Sequence, residues 1–253
     1  MKKLILRLLI VIFAATFAVS GFNIIKSLVD TAKTEKFYEN LQSDYVSPVA
    51  PPSAEEETAT QVVKEPAVTV DFTALSEKNK DIVGWLYLPD TVLNYPVCQA
   101  EDNDKYLRRD LDGKKLSAGT LFVDYRCKAV NTDTNYIIYG HNMKNGTMFK
   151  TVVNYKEQSF YEKKPVLYYL TPENSYKIEP VLGLVVSDND TVYRLDFTNA
   201  QMLDYISSKK SESTFSSTVP LSDEDKFITL STCSYEYENA RFVLIGKISE
   251  VEQ

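Results

Sequence analysis

Seven short runs of β-branched and aromatic residues, separated by turn-forming residues, constrain the fold of this chain more than any other feature. They occupy residues 82–88, 120–125, 135–139, 165–170, 175–186, 226–232 and 241–248. Runs of this kind predict β-strands, because branched and aromatic side chains pack well on a pleated surface. Seven or eight strands at such spacing predict a closed barrel or a sandwich, and therefore a mainly β domain.

Two segments carry helical signals beside the strands. A short helix is predicted over residues 72–79, with Asp71 as its N-cap. Residues 196–210 carry apolar side chains at helical spacing, with Asp196 or Thr198 as the cap. The folded part of the chain is therefore predicted to combine a β core with peripheral helices.

The N-terminus combines a basic start with a long apolar stretch. Lys2 and Lys3 precede an apolar run over residues 4–25, which Arg7 and a short polar patch interrupt. A basic flank and a length of roughly 20 residues suit one membrane span with a cytoplasmic N-terminus. The alternative is a signal peptide cleaved after residues 18–20, which resemble a small-x-small site. We favour the retained anchor because the apolar stretch continues beyond that site, and both interpretations export the rest of the chain.

The chain is predicted to have three parts. A membrane anchor, or an uncleaved signal, occupies residues 1–25, and a stalk follows over residues 26–70. The first part of the stalk, residues 26–45, has the pattern of a helix leaving a membrane. Residues 46–70 contain four prolines around an acidic run, and proline and charge together oppose a packed core. The folded domain is then predicted over residues 71–253.

Charge and composition exclude several classes of function. The formal charge is −7, from 35 acidic and 28 basic residues, without the basic patch of a nucleic-acid-binding protein. One histidine, three cysteines and no CxxC motif leave a zinc or haem site without its usual ligands. We therefore predict no metal, no other cofactor and no nucleic-acid partner.

The three cysteines leave at least one thiol without a partner inside the chain. One alternative pairs Cys98 with Cys127 and leaves Cys233 free. The other, which we favour, makes Cys98 and Cys127 buried apolar thiols, since nothing in their flanking residues indicates a bridge.

The last two predicted strands bring a cysteine and an arginine together. Residues 227–232 alternate like a strand and end at Cys233, a polar loop follows, and Arg241 opens the next strand. If these strands pair antiparallel, Cys233 and Arg241 are neighbours at one rim of the sheet. A guanidinium beside a thiol lowers the thiol pKa and favours thiolate. The alternative is a buried apolar cysteine and a solvated arginine at a strand edge.

The single histidine also ends a predicted strand. His141 follows residues 135–139 after Gly140, which allows a sharp exit from the strand. A nucleophilic cysteine needs a partner that exchanges a proton near neutral pH, and imidazole is suited to this task. The coincidence of a strand-end histidine, a strand-end cysteine and an adjacent arginine predicts a thiol-based catalytic site.

Several motifs now resemble those of the sortase family, in the family's order. The segment TLSTC at residues 229–233 resembles the sortase TLxTC signature, and residues 241–244 resemble the arginine strand. Residues 139–143, followed by residues 146–149, are similar to the histidine segment. Four upstream segments resemble class B members in particular: Trp85, residues 95–97, residues 102–107 and residues 119–124.

This resemblance implies both a fold and a reaction. The fold is an eight-stranded sortase-type β-barrel with an N-terminal helix and an extra helix between strands 6 and 7, where residues 196–210 fall. The reaction is a transpeptidation: a C-terminal sorting motif of a secreted protein is cleaved, and its acyl-threonine is joined to the amine of a peptidoglycan precursor of the lipid II type. Cys233 would be the nucleophile, His141 the acid and base, and Arg241 the oxyanion donor.

The resemblance also suggests substrate-binding residues. Asn103 and Leu107 match groove-lining positions by their spacing; the alternatives are a helix cap and an ordinary core leucine. Ser231 and Thr232 flank the nucleophile, and their alternative role is routine strand packing. Tyr193, before the predicted extra helix, is expected to contact the side chains of the motif.

The class B resemblance suggests an NPxTN-like or PxTG-like motif. The N-terminal segment predicts an enzyme in the cell membrane, single-pass, with a cytoplasmic N-terminus and an extracellular catalytic domain. Two other functions remain open. One is a cysteine peptidase or amidase in which water resolves the thioacyl intermediate, because the same residues serve both fates. The other is a surface-binding module on a stalk, without enzymatic activity.

Overall fold

The computed structural model describes residues 2–49 and 66–251. The chain divides into two compact units, Met1–Asn40 and Leu41–Gln253. Helix α1, Lys2–Tyr45, includes all the described residues of the first unit. Among the helices in the described ranges, α1 is the one long and apolar enough to cross a membrane.

A short ribbon begins the second unit. Strands β1, Val46–Pro48, and β2, Val68–Val70, pair antiparallel. The two ends of the segment predicted as an extended spacer are therefore hydrogen-bonded to each other. The acidic run and two of the four prolines predicted for this spacer lie in residues 50–65, outside the described residues.

Eight further strands close into a barrel in the order β10-β8-β7-β3-β4-β5-β6-β9. They are β3 Ile82–Tyr87, β4 Asn94–Cys98, β5 Leu121–Val123, β6 Asn135–Tyr139, β7 Leu167–Leu170, β8 Ser175–Ser187, β9 Lys226–Cys233 and β10 Ala240–Glu250. Neighbours run antiparallel except the parallel pairs β4–β5 and β6–β9. The prediction of an eight-stranded barrel is confirmed, and the sandwich alternative is wrong.

Strand β4 is missing from the runs identified in the sequence because Pro96 lies at its centre. A proline has no N–H to donate and argues against a strand inside a sheet. In the barrel, Pro96 lies opposite Trp85 of β3. The parallel partner β5 meets β4 only at Val97 and Cys98. Pro96 is therefore paired on its β3 side only, at a position that the β4–β5 ladder does not reach.

Both predicted helices are present. Helix α2 spans Phe72–Lys78, and the Asp71 carboxylate accepts a hydrogen bond from Ala74 N at 3.0 Å. Helix α5 spans Asn199–Lys209, between the sixth and seventh barrel strands. Its cap is Thr198 and not Asp196, because Thr198 and Gln201 form a reciprocal capping box.

Two short helices between β6 and β7 escaped sequence analysis. Helix α3, Lys150–Val153, and helix α4, Gln158–Lys163, have four and six residues. Neither is long enough to repeat an apolar pattern at helical spacing, so the signal used for α5 does not exist in them.

The barrel topology brings several strand ends to one rim. Because β6 and β9 are parallel, their C-terminal ends point to the same side of the barrel. Strand β10 is antiparallel to β9 and begins where β9 ends. The end of β8 joins the same rim, since Ser187 lies opposite Ala240. The rim therefore collects residues that are far apart in sequence.

Candidate active site

The strand register places the three predicted catalytic residues together. Cys233 and Arg241 are direct Cα partners across β9 and β10. Tyr139 of β6 is the Cα partner of Ser231 of β9. His141 and Cys233 each lie two residues beyond that paired position, so they leave two parallel strands at the same level.

A groove of about 470 Å³ opens at this rim. All eight residues predicted from the sequence line it: Asn103, Leu107, His141, Tyr193, Ser231, Thr232, Cys233 and Arg241. Five further lining residues with polar side chains were not predicted: Thr120, Asp124, Arg126, Tyr139 and Asp188. The structure thus brings the whole predicted set to one site and adds a polar floor to it.

Backbone and amide contacts tie the histidine segment to the nucleophile strand. Gly140 N donates to Ser231 O at 3.2 Å, and Asn142 Nδ2 donates to Cys233 O at 2.9 Å. These two bonds lie on either side of His141 in the sequence. Gly140 serves close packing here, because an added Cβ would lie 2.5 Å from a buried leucine side chain.

The imidazole of His141 is oriented by a backbone carbonyl. Its Nε2 donates to Leu107 O at 2.7 Å, so in the neutral ring Nδ1 is the nitrogen that can accept a proton. Burial lowers the pKa of His141 below its ordinary value of 6.5, the Leu107 bond opposes this shift, and the charge of Arg108 adds to it. Within the described part of the chain no hydrogen bond joins the ring to the Cys233 thiol.

The guanidinium of Arg241 is held loosely at the rim. Nη1 donates to Ala240 O at 3.1 Å, and Nη2 lies 3.6 Å from the half-exposed Asp188 carboxylate. A guanidinium has five N–H donors, so most of them remain available to a ligand in the groove. Asp188 follows β8, and only the β8–β10 pairing brings it beside Arg241.

A buried carboxylate organises the floor of the groove. Asp124 has a fully buried side chain and accepts two bonds from the Arg126 guanidinium, both at 2.8 Å, one from Arg126 N at 3.0 Å and one from Tyr139 OH at 2.9 Å. Burial acts to raise the pKa of Asp124, but the Arg126 guanidinium and the hydrogen bonds outweigh it and hold that pKa below its usual range. The carboxylate is therefore ionised and fully paired.

Asn103 belongs to this floor. Its Nδ2 donates to Asp124 Oδ2 at 3.3 Å, and its Oδ1 accepts from Tyr125 N at 3.0 Å. It lies in a turn and not at a helix N-terminus, so the helix-cap alternative is wrong. Leu107 is 38% exposed on the groove wall, so the core-leucine alternative is wrong as well.

The opposite side of the groove is built by Tyr193 and the strand before the nucleophile. Tyr193 OH lies 2.8 Å from Ser231 Oγ, and the Tyr193 ring stacks on Tyr139 with centroids 6.3 Å apart. Thr232 is buried, and its hydroxyl has no hydrogen-bond partner among the described residues. Tyr193 and Ser231 are thus locked to each other, while Thr232 keeps an unused hydroxyl.

The other two thiols lie away from the groove. Cys98 and Cys127 are buried and unpaired, whereas Cys233 is partly exposed and lines the groove. Burial raises the pKa of Cys127 to about 12 and raises that of Cys98 further. The disulfide alternative is therefore wrong, and both cysteines are the buried apolar thiols that we favoured.

Comparison with known proteins decides the family. A sequence model of the sortase domain matches residues 86–249. Sortase B of Listeria monocytogenes is 32% identical over 251 residues, which cover 98% of each chain. The chain belongs to class B of the sortase family. Sortase B of Staphylococcus aureus is 30% identical over 250 residues, or 98% of this sortase and 96% of that protein. The S. aureus sortase B–substrate complex superimposes with a TM-score of 0.67 at 34% identity, over 72% of this sortase and 85% of that chain.

The titration of His141 tests whether burial and Arg108 lower the pKa of its ring. The sequence has one histidine, so a tag-free protein gives a single imidazole signal in an NMR titration. We expect its midpoint below 6.5, because burial and Arg108 both disfavour the imidazolium. Arg108→Gln should raise the midpoint, and Arg109→Gln should leave it unchanged. A wild-type midpoint at or above 6.5 would contradict this description.

Proposed function

We propose that this sortase cleaves a C-terminal sorting motif on secreted proteins and joins the acyl-threonine to the amine of a peptidoglycan precursor of the lipid II type. One observation carries the proposal: the nucleophile Cys233 is the cross-strand partner of Arg241, and His141 leaves the parallel neighbouring strand at the same level. The S. aureus sortase B–substrate complex, which superimposes on this chain, supports a substrate site in a protein of this fold.

The first half-reaction forms a thioester. Because burial lowers the pKa of His141, the neutral imidazole can take the thiol proton as Cys233 Sγ adds to the scissile carbonyl carbon. Charge develops on the carbonyl oxygen, where the N–H groups of Arg241 stabilise it. The C–N bond then breaks, and His141 gives its proton to the leaving amine.

The second half-reaction transfers the acyl group. The amine of the precursor attacks the thioester carbon while His141 takes a proton from it. The C–S bond breaks, and the proton returns to Cys233. Water entering in place of the amine would give hydrolysis with the same residues, so the two fates are distinguished by product and not by the site.

The remaining lining residues are proposed to hold the motif. Asn103 lies on the floor of the groove, Leu107 lines one wall, and Tyr193, Ser231 and Thr232 line the other. The unpartnered Thr232 hydroxyl supports this assignment, since a buried polar group without a partner is costly and gains a partner when a peptide binds.

Product analysis tests the proposed function. With a motif peptide and an excess of a short oligoglycine amine, we expect a joined product by mass spectrometry. Cys233→Ala should abolish it, whereas Cys98→Ala and Cys127→Ala, which remove buried thiols outside the groove, should keep most of the activity once folding is checked by Tm. Hydrolysed peptide alone would indicate a peptidase, and no turnover would indicate a binding module.

Replacement of Arg241 separates geometry from charge. Lysine retains the charge but loses the planar fork of donors, so Arg241→Lys should lose much of the activity. Loss of a well-placed oxyanion donor costs about 10²–10³ in kcat, which is the scale expected for Arg241→Ala. The measurement is kcat/KM with the motif peptide on variants of unchanged Tm. Near-normal turnover by a folded Arg241→Ala variant would refute the oxyanion role.

The proposal also includes a membrane location, with residues 1–25 as the anchor and the catalytic domain outside the cell. The length and apolar composition of α1 support it, and the basic N-terminus supports a cytoplasmic start. Protease added to intact, wall-stripped cells should release a fragment that begins within residues 46–70. Fragments that appear only after lysis would place the domain on the cytoplasmic side.

A further inference from the structure

A hairpin in the loop between β4 and β5 carries cations close to the groove. Leu116 N donates to Arg108 O at 3.1 Å, and Asp110 N donates to Lys114 O at 2.9 Å. Arg109 and Lys115 face each other between these bonds as an isolated antiparallel bridge. We call residues 108–116 the basic hairpin.

The basic hairpin is a rigid element. The buried Asp110 carboxylate accepts from Asp112 N at 2.9 Å and from Lys114 N at 2.8 Å, and Gly113 supplies the positive φ of 76° that the tip requires. Two of its own side chains, Leu111 and Leu116, are buried and anchor the hairpin. The backbone is therefore preorganised, while the side chains of its arginines and of Lys115 are exposed.

Three cations of this hairpin have no carboxylate partner among the described residues. Like charges directly opposite each other destabilise an antiparallel pair, yet Arg109 faces Lys115. Among the described residues no carboxylate forms an ion pair with Arg108, Arg109 or Lys115, whereas the neighbouring Lys114 pairs with Asp112 at 3.3 Å. In a chain with 35 acidic and 28 basic residues, such a cluster points to an anionic ligand.

A cavity of about 360 Å³ lies against these cations. Its lining consists of Asp104, Lys105, Leu107, Arg108, Arg109 and Lys115. Lys105 is already paired with Asp81 at 2.6 Å, and Arg109 Nη1 donates to Gly113 O at 3.1 Å. Arg108, Lys115 and the other donors of Arg109 are therefore the ones available to a ligand. Leu107 also lines the active-site groove, and its carbonyl holds the His141 ring. The two sites therefore share a wall on the histidine side.

We propose that the basic hairpin binds the diphosphate of a lipid-linked, amine-bearing cell-wall precursor, an inference that rests on the proposed function. The amine that resolves the thioester must reach His141, which takes its proton, and the cationic cavity lies on that side of the groove. Arginine presents a planar fork to phosphate oxygens and lysine adds a point charge. A diphosphate is the part of such an acceptor that three unpaired cations recognise.

Kinetics with two acceptor substrates distinguish an effect on the proposed diphosphate subsite from an effect on the active site. One is a lipid-linked disaccharide diphosphate bearing the amine, in neutral detergent, and the other is a soluble oligoglycine amine. For Arg109→Gln and for Lys115→Gln we expect KM for the diphosphate acceptor to rise about tenfold, the scale of one lost charged hydrogen bond. KM for oligoglycine and the rate of motif cleavage should not change.

Matched variants control for charge and folding. Lys114→Gln removes the same charge one residue away, on a side chain paired with Asp112, and should leave KM for both acceptors unchanged. Lys115→Arg should retain the wild-type KM for the diphosphate acceptor. Added salt should raise that KM in wild type more than in Lys115→Gln, because screening acts on the cations that remain. Equal KM for wild type and Lys115→Gln, with unchanged Tm, would overturn the proposal.

A binding experiment distinguishes the source of the anion and does not depend on acyl transfer. Inorganic pyrophosphate should shift the NMR signals of the basic hairpin in the full chain, and Arg109→Gln with Lys115→Gln should abolish the shift. Binding to phosphatidylglycerol vesicles without a response to pyrophosphate would assign the cations to a lipid surface and overturn the proposal. Failure of wild type to join either acceptor would refute the proposed function, while the pyrophosphate result still decides whether the diphosphate subsite exists.

Discussion

The position of β9 between β6 and β10 is the constraint on which the site depends. One ladder is parallel and the other antiparallel, so the end of β9 lies beside the end of one strand and the start of another. Strand side chains alternate between faces, and a slip of one residue would turn Cys233 to the opposite face. Burial of residues 227–232 on both faces of β9 opposes such a slip. The burial of β9 therefore fixes both the packing of the barrel and the position of Cys233 at its rim.

The polar floor shows how stability and binding are coupled in this barrel. A fully buried carboxylate is tolerated only when it is paired and hydrogen-bonded, and Asp124 meets this condition through Arg126, Tyr139 and Asn103. These partners line the groove. Arg126 also donates to Tyr193 O at 3.3 Å, which links the floor to the wall that faces Ser231. The shape of the groove is thus held by a charge that cannot be left unpaired.

Electrostatics divides the rim into parts with different tasks. Arg241 is a weakly held cation beside Cys233, with the Asp188 carboxylate 3.6 Å away. Partial burial and a further cation, Arg108, both lower the pKa of His141 and favour its neutral ring. The same region that lowers the pKa of His141 also carries the uncompensated charges of the basic hairpin. One loop between β4 and β5 therefore both orients the His141 ring through Leu107 O and presents its arginines beside the groove.

Local signals in the sequence determined most of the strands, helices α2 and α5, and the three strand-end residues of the site. Side-chain alternation, helix caps and loop length involve only a few consecutive residues, so they can be identified before the fold is known. The pairing of Cys233 with Arg241 follows from one short loop between two strands. Strand β4 was not predicted, because a proline at its centre argues against a strand inside a sheet. In the barrel, Pro96 has a partner in β3 but none in β5. The polar floor and the basic hairpin escaped for another reason. The contacts and surroundings of Asp124, Asp188 and Lys115 form only when the barrel closes and the loops fold. Contacts between distant segments depend on the tertiary structure and leave no local pattern in the sequence.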